Sequence, residues 1–143
     1  MRILGIDYGD ARIGLALSDE TGMIAGALPT YQSVSMRKDA DYIAALALQH
    51  EAGRIVLGLP LNMDGTKGER ALKTEAFGRV LGRITGLEVV YKDERLTTKA
   101  AERDLESAGV RRLKQKNLVD AVAATLILQS YLDKLRASVE VDL

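Results

Sequence analysis

Residues 2–18 read RILGIDYGDARIGLALS. Two short apolar runs rich in branched residues, 3–6 and 13–17, flank Asp7-Tyr8-Gly9-Asp10. The segment between them carries turn chemistry, so the pair reads as a β-hairpin. Residues 23–31 are expected to add a third strand, closed by Pro29. Residues 39–52 carry Ile43, Leu46, Ala47 and His50 at helical spacing, with Gly53 as the stop. Residues 55–59 form a fourth strand, apolar enough to be covered on both faces. Residues 60–68, PLNMDGTKG, are a loop by composition. Residues 69–84 are a helix with Leu72, Ala76, Phe77, Val80, Leu81 and Ile84 on one stripe, ended by Gly86. A fifth strand follows at 87–91. Thr98 caps a helix to about residue 108, with Glu102 and Glu106 on its exposed side. Residues 110–116 are a basic connection, and Asn117 caps a last helix to about residue 135, with Val122, Leu126 and Gln129 as its packing stripe. Three strands followed by helix–strand alternation imply an α/β fold, a mixed sheet with helices on both faces. Residues 1–136 are expected to be one domain and 137–143 a frayed C-terminal tail.

Composition narrows the chemistry. The 143 residues amount to one domain, and 47% apolar with 28% charged residues argues against disorder. Twenty Lys and Arg balance twenty Asp and Glu, so any basic surface for nucleic acid must be local. The absence of cysteine excludes disulfides, thiolate zinc sites and cysteine nucleophiles, and fits a cytoplasmic setting. His50 as the one histidine leaves little room for a Ser-His-Asp triad. The N-terminal apolar run is short and broken by Asp7, unlike a signal peptide. No window nears the roughly 20 apolar residues of a membrane span, so no membrane partner is expected.

Acids stand where apolar sequence surrounds them. Asp7 follows Ile3-Leu4-Gly5-Ile6, Asp93 and Glu94 leave the fifth strand, and Asp120 sits in LVDAVAATLILQSYL. An unpaired carboxylate against a core is costly and tends to neutralise or to find a cation. Singly, each acid has a plain structural role: Asp7 as a turn former, Asp93 and Glu94 as solvated strand ends, Asp120 as a complement to a helix N-terminus. Together, acids from separate elements converging without His or Cys suit hard cations with oxygen ligands, Mg²⁺ or Mn²⁺. Such cations activate water and stabilise the leaving oxygen of a phosphodiester. Gly9 permits close backbone approach. Asn62, Gly65 and Lys67 lie in a loop at the end of a strand, where α/β sheets place ligands, although no P-loop pattern is present. Arg111, Arg112, Lys114 and Lys116 precede Asp120, and Arg95 follows Glu94, as candidate phosphate contacts or as ordinary solvated charge.

Four segments, GIDYGDARIGLALSD, VLGLPLNMDGTKG, KDERLTT and LVDAVAATLILQSYL, resemble in order the YqgF family, also called RuvX-like, over residues 2–135. The resemblance implies a ribonuclease H-like fold, a five-stranded mixed sheet flanked by helices. It implies a bacterial cytoplasmic nuclease maturing the 5′ end of the small-subunit (16S) rRNA precursor. It implies Asp7, Glu94 and Asp120 as a catalytic trio holding Mg²⁺ or Mn²⁺, with Asp93 as an alternative ligand to Glu94. Asn62 and Gly65 match the family's loop and would position substrate or phosphate, as would Gly9, Lys67, Arg95 and the basic run. Leu113 and Gln115 interrupt that run, leaving it sparser in lysine than the family often shows, which bears on substrate grip. The implied partner is structured RNA, as pre-rRNA or in the immature small ribosomal subunit, bound by a monomer or a homodimer. Two alternatives stay open: a resolvase of Holliday junctions in DNA with the same trio, and a non-catalytic RNA-binding or antitermination factor. The hairpin also resembles the first phosphate loop of actin- and sugar-kinase-like ATPases, which need two such domains where this length holds one.

Overall fold

The hairpin forms as read and becomes the centre of the sheet. In the computed structural model, which describes residues 1–95 and 112–142, β1 (Arg2–Tyr8) pairs antiparallel with β2 (Arg12–Ser18). β3 (Ala25–Gln32) pairs antiparallel with β2, β4 (Ala52–Leu59) lies parallel to β1, and β5 (Glu88–Asp93) lies parallel to β4. The order is β3-β2-β1-β4-β5. β1 is buried on both faces, and alternate side chains divide between two cores. Leu4, Ile6 and Tyr8 pack with Ile43 of α1 (Met36–Gln49) and Phe77 of α2 (Glu69–Thr85). Ile3 packs with Ala124, Ile127, Leu128 and Leu132 of α3 (Arg112–Asp142) on the other face.

Several boundaries differ from the sequence reading, each for a local reason. Pro29 does not close β3 but lies within it, because β3 is an edge strand and a missing N–H is tolerated there. The pairing with β2 shifts register between Ile13 and Leu15, beside that proline. α1 starts early, at Met36, because Ser35 caps it: its Oγ accepts from Lys38 N at 3.3 Å. Its stop is not Gly53, which already belongs to β4; Glu51 takes the left-handed turn at φ 55°. Gly86 ends α2 as expected, at φ 69°. Leu72 does not join the buried stripe of α2 and is 56% exposed; Ala71, Thr74, Phe77, Gly78 and Leu81 form that stripe.

α3 departs most. Residues 112–116 are its first turns rather than a connection, Asn117 is interior rather than a cap, and the helix passes Arg136 to Asp142 in place of a frayed tail. No Gly or Pro stands between 112 and 142, so nothing in that stretch breaks the helix. Its fully buried line is Ala123, Ala124, Ile127, Leu128 and Leu132, while Val122 and Leu126 are half-buried. The helix expected at 98–108 lies outside the described residues. Among the described residues no helix is long and apolar enough to cross a membrane.

Glycines set how closely α3 approaches. A Cβ on Gly5 would stand 2.7 Å from Leu128 Cβ and 3.3 Å from the Ala124 carbonyl oxygen. A Cβ on Gly14 would collide with the carbonyl of Asp120. A backbone obstacle cannot rotate away, so Gly14→Ala must displace α3 or β2. Gly14→Ala is expected to lose about 1–3 kcal/mol. Gly26→Ala, whose Cβ would meet nothing closer than Leu17 O at 3.9 Å, is expected to be neutral or slightly stabilising. Denaturant unfolding of the two variants checks the contrast.

Candidate active site

Asp7 is the next-to-last residue of β1 and lies directly opposite Gly14 on β2. On the other side, Gly58 of β4 follows Leu57, the partner of Ile6. A Cβ on Gly58 would come within 2.5 Å of Glu94 Oε2 and 2.6 Å of Ile127 Cδ1. The two glycines therefore clear space on both sides of Asp7. Glu94 occupies one side and the backbone of Asp120 presses onto the other. Glu94 leaves β5 just after Asp93, and its N–H donates to Leu59 O at 3.2 Å, which ties it to the end of β4.

Asp7 and Glu94 share a hydrogen bond and shift each other. Burial raises Asp7 to about 6, with the Asp120 charge adding to the rise and the hydrogen bond from Glu94 and the charge of Arg70 opposing it. Burial, then the Asp7 charge, pushes Glu94 up to about 8. The proton of the pair thus resides on Glu94, whose O–H donates to the Asp7 carboxylate. Asp120 is held differently. Arg12 Nε donates to its Oδ2 at 2.9 Å in an ion pair whose side chains are 34% and 22% exposed. Arg70 closes the near side: it donates to the Tyr8 carbonyl at 2.9 Å and pairs with Asp10 at 2.5 Å.

The structure brings Asp7 and Glu94 into contact and sets Asp120 within electrostatic reach of Asp7. Among the described residues no three His, Asp or Glu side chains already surround one point as a metal cage. The donor set nonetheless fits a hard cation. Two touching carboxylates that hold a proton despite the nearby charge of Arg70 are oxygen-only donors of the kind such ions take. Asp93 is exposed and turned away, accepting from Arg95 N at 3.0 Å and Arg95 Nε at 2.9 Å, which holds it below the usual carboxylate range.

The loop residues are engaged within the protein. Asn62 and Thr66 close the 60–68 loop, Asn62 N donating to Thr66 O and Asn62 Nδ2 to Thr66 Oγ1, both at 2.9 Å. Gly65 takes φ 87°, a turn position that favours glycine. Lys67 pairs with Glu75 at 3.0 Å, and Arg95 Nη1 reaches Met63 O at 3.2 Å. Gly9 serves the turn itself, since its N–H bonds Arg12 O at 3.0 Å and a Cβ there would strike that carbonyl. Arg112, Lys114 and Lys116 lie on the first turns of α3 ahead of Asp120; Arg111 lies outside the described residues. Arg12 and Arg70 were not singled out from sequence. Arg12 stands in DYGDARIG beside the first acid, but its partner is 108 residues away. Gly14 and Gly58 carried a signal, as glycines inside apolar strands beside the acids.

A family model described as the RuvX Holliday junction resolvase matches residues 1–134. The chain belongs to the RuvX family. A relative from Agathobacter rectalis, named "Putative pre-16S rRNA nuclease", is 46% identical over 141 residues, covering 96% of this chain and 99% of its own. A protein of the same name from Syntrophus aciditrophicus is 49% identical over 133 residues, covering 93% and 89%. Among solved structures, Thermus thermophilus RuvC in complex with a Holliday junction substrate aligns with a TM-score of 0.59 at 16% identity, covering 94% of this chain and 96% of its own. The fowlpox virus resolvase with Holliday junction DNA aligns at 0.55 and 11% identity, covering 94% and 99%. Those likenesses show the fold, which is ribonuclease H-like. This RuvX member is a hydrolase of the nuclease class, acting on nucleic acid.

The raised carboxyls make a stability prediction. Both bind a proton more tightly folded than unfolded, so the metal-free protein has their stabilisation below about pH 4 and loses it as pH rises through about 6 and then 8. Asp7→Asn removes one charge of the pair. In EDTA at pH 8 it is expected to melt at least about 3 °C above wild type, with the gap closing toward pH 5. Thermal unfolding across that range checks it.

Proposed function

We propose that this RuvX protein hydrolyses phosphodiester bonds of structured RNA in the small-subunit rRNA precursor, with Mg²⁺ or Mn²⁺ held by Asp7, Glu94 and Asp120. The observation that carries the reading is the Asp7–Glu94 pair, two carboxyl groups in contact at the sheet end, with Gly58 leaving room for Glu94. A structural role for these acids would not require burying two carboxyl groups side by side. The pre-16S substrate is supported by the names of relatives that match this chain along almost all of its length. A divalent cation bound there supplies activation of water and neutralisation of the leaving oxygen. The chain's own residues do the rest. Glu94 gives up its proton as the site fills, and Asp7 is aimed by the rigid β1 ladder. Arg70 fixes the Tyr8 carbonyl, so the strand end does not move under the substrate. Asn62 and Gly65 shape the loop along which the backbone lies. Lys67, Arg95 and the run Arg111, Arg112, Lys114 and Lys116 supply its flanking cations.

Cleavage of precursor 16S rRNA with Mn²⁺, Mg²⁺ or EDTA tests this, with wild type beside Asp7→Asn and Asp120→Asn. Metal-dependent trimming is expected, reduced more than about 100-fold in either variant. A folded Asp7→Asn protein that cleaves at the wild-type rate overturns the metal assignment. A four-way DNA junction in the same assay separates the resolvase reading: preferential cutting of the junction would replace RNA as the substrate. RNA binding by wild type with no cleavage under any metal would make the protein a binding factor.

A further inference from the structure

Arg12, which is ion-paired with Asp120, also borders a groove. The groove holds about 520 Å³ and, among the described residues, is lined by Ala11, Arg12, Thr30 and Gln32 at the β2–β3 edge. Its frame is fixed by backbone bonds: Gly9 N to Arg12 O at 3.0 Å, Ser33 N to Ala11 O at 2.9 Å, and Arg12 in register with Gln32. The Arg12 side chain is one-third exposed. Its ion pair runs from Nε to one oxygen, whereas a guanidinium carries five donors in a planar fork. A phosphodiester gripped by that fork through two donors makes the stronger contact. The backbone of Asp120 cannot follow Arg12 into the groove, because its carbonyl rests on Gly14. What can change is the Asp120 side chain.

We propose that Arg12 is a positioning residue that latches Asp120 until a backbone phosphate enters the β2–β3 groove, and that capture of this phosphate by Arg12 frees the Asp120 carboxylate to join Asp7 and Glu94. The inference rests on the nuclease reading above. It makes phosphate binding in the groove and cation binding by the acids mutually favourable, and such coupling is reciprocal. It also places the strand leading to the scissile bond along β3, on the side of Asp7 away from the 60–68 loop.

The test measures Mn²⁺ affinity by isothermal titration, with and without a blunt RNA duplex, on full-length protein confirmed folded by its melting profile. In wild type the duplex is expected to tighten Mn²⁺ binding about fivefold or more. In Arg12→Gln the latch is gone, so Mn²⁺ binds tightly without RNA and the duplex adds nothing. Arg12→Lys, which keeps the charge but not the fork, is expected to lose most of the coupling. Lys73→Gln removes an equal charge at the same sheet end, where Lys73 pairs with Asp10 at 3.6 Å, and is expected to retain the coupling, which separates a latch from general electrostatics. Coupling that persists in Arg12→Gln, or Mn²⁺ binding that weakens there, overturns the latch while leaving the nuclease reading intact. A wild type that binds neither Mn²⁺ nor duplex overturns both.

Discussion

Everything at the sheet end depends on how far α3 can descend onto β1, β2 and β4. Side chains normally hold a helix off a sheet by interdigitating between them. Here Gly5, Gly14 and Gly58 remove that spacer on the α3 face, and Ala123 and Ala124 keep the helix side thin. The Asp120 backbone therefore touches β2 opposite Asp7, and Ile127 reaches Gly58 beside Glu94. A larger residue at Gly5 or Gly14 would push against the backbone or a Cβ of α3 and move the helix, whereas one at Gly58 would displace the Glu94 side chain itself. The geometry is thus specified by absent side chains as much as by the acids themselves. The other face needs no such device: Leu4, Ile6, Phe77 and Leu81 make an ordinary large-residue core.

Close descent creates the electrostatic problem that defines the site. Two carboxylates at one strand end cannot both ionise cheaply, so the pair retains a proton into the neutral range. Desolvation, the largest cause for both acids, is a property of the fold rather than of the pair. Asp120 is held instead in an ion pair with Arg12, which reaches it from β2 at 2.9 Å. The three acids so differ in state: one protonated, one ionised within a hydrogen bond, one ion-paired.

The element order and the positions of the acids were legible because each rests on a local pattern. Ile3 to Ile6 followed by Asp7 reads as a strand end whatever surrounds it. The limits of α3 were less legible. A basic run resembles a solvated loop, yet Arg112, Lys114 and Lys116 are good helix formers with no breaker after them. Leu72 fits a helical stripe by spacing, but α2 rolls to present Ala71 and Phe77 to the core instead. Arg12 and Arg70 were invisible for another reason. Each acts through a long-range partner, Asp120 for one and the Tyr8 carbonyl for the other, and neither pairing leaves a spacing in sequence.

Zero net charge sits uneasily with a polyanionic substrate until the cations are located. Around the site most are already paired with acids: Arg70 with Asp10, Arg95 with Asp93, Lys67 with Glu75 and Arg12 with Asp120. The more exposed of these pairs, Arg70–Asp10 and Arg95–Asp93, are worth only about 0–1 kcal/mol each, since water screens them and long side chains lose freedom in them. Exchanging such a partner for a phosphate therefore costs little. Among the described residues, the cations near the acids are thus held in pairs rather than as a standing positive patch that would collect any nucleic acid indiscriminately. On the proposed reading, shape then selects the substrate: a phosphate would sit where a paired cation can turn to it, and the groove at the β2–β3 edge and the 60–68 loop offer such places on opposite sides of Asp7.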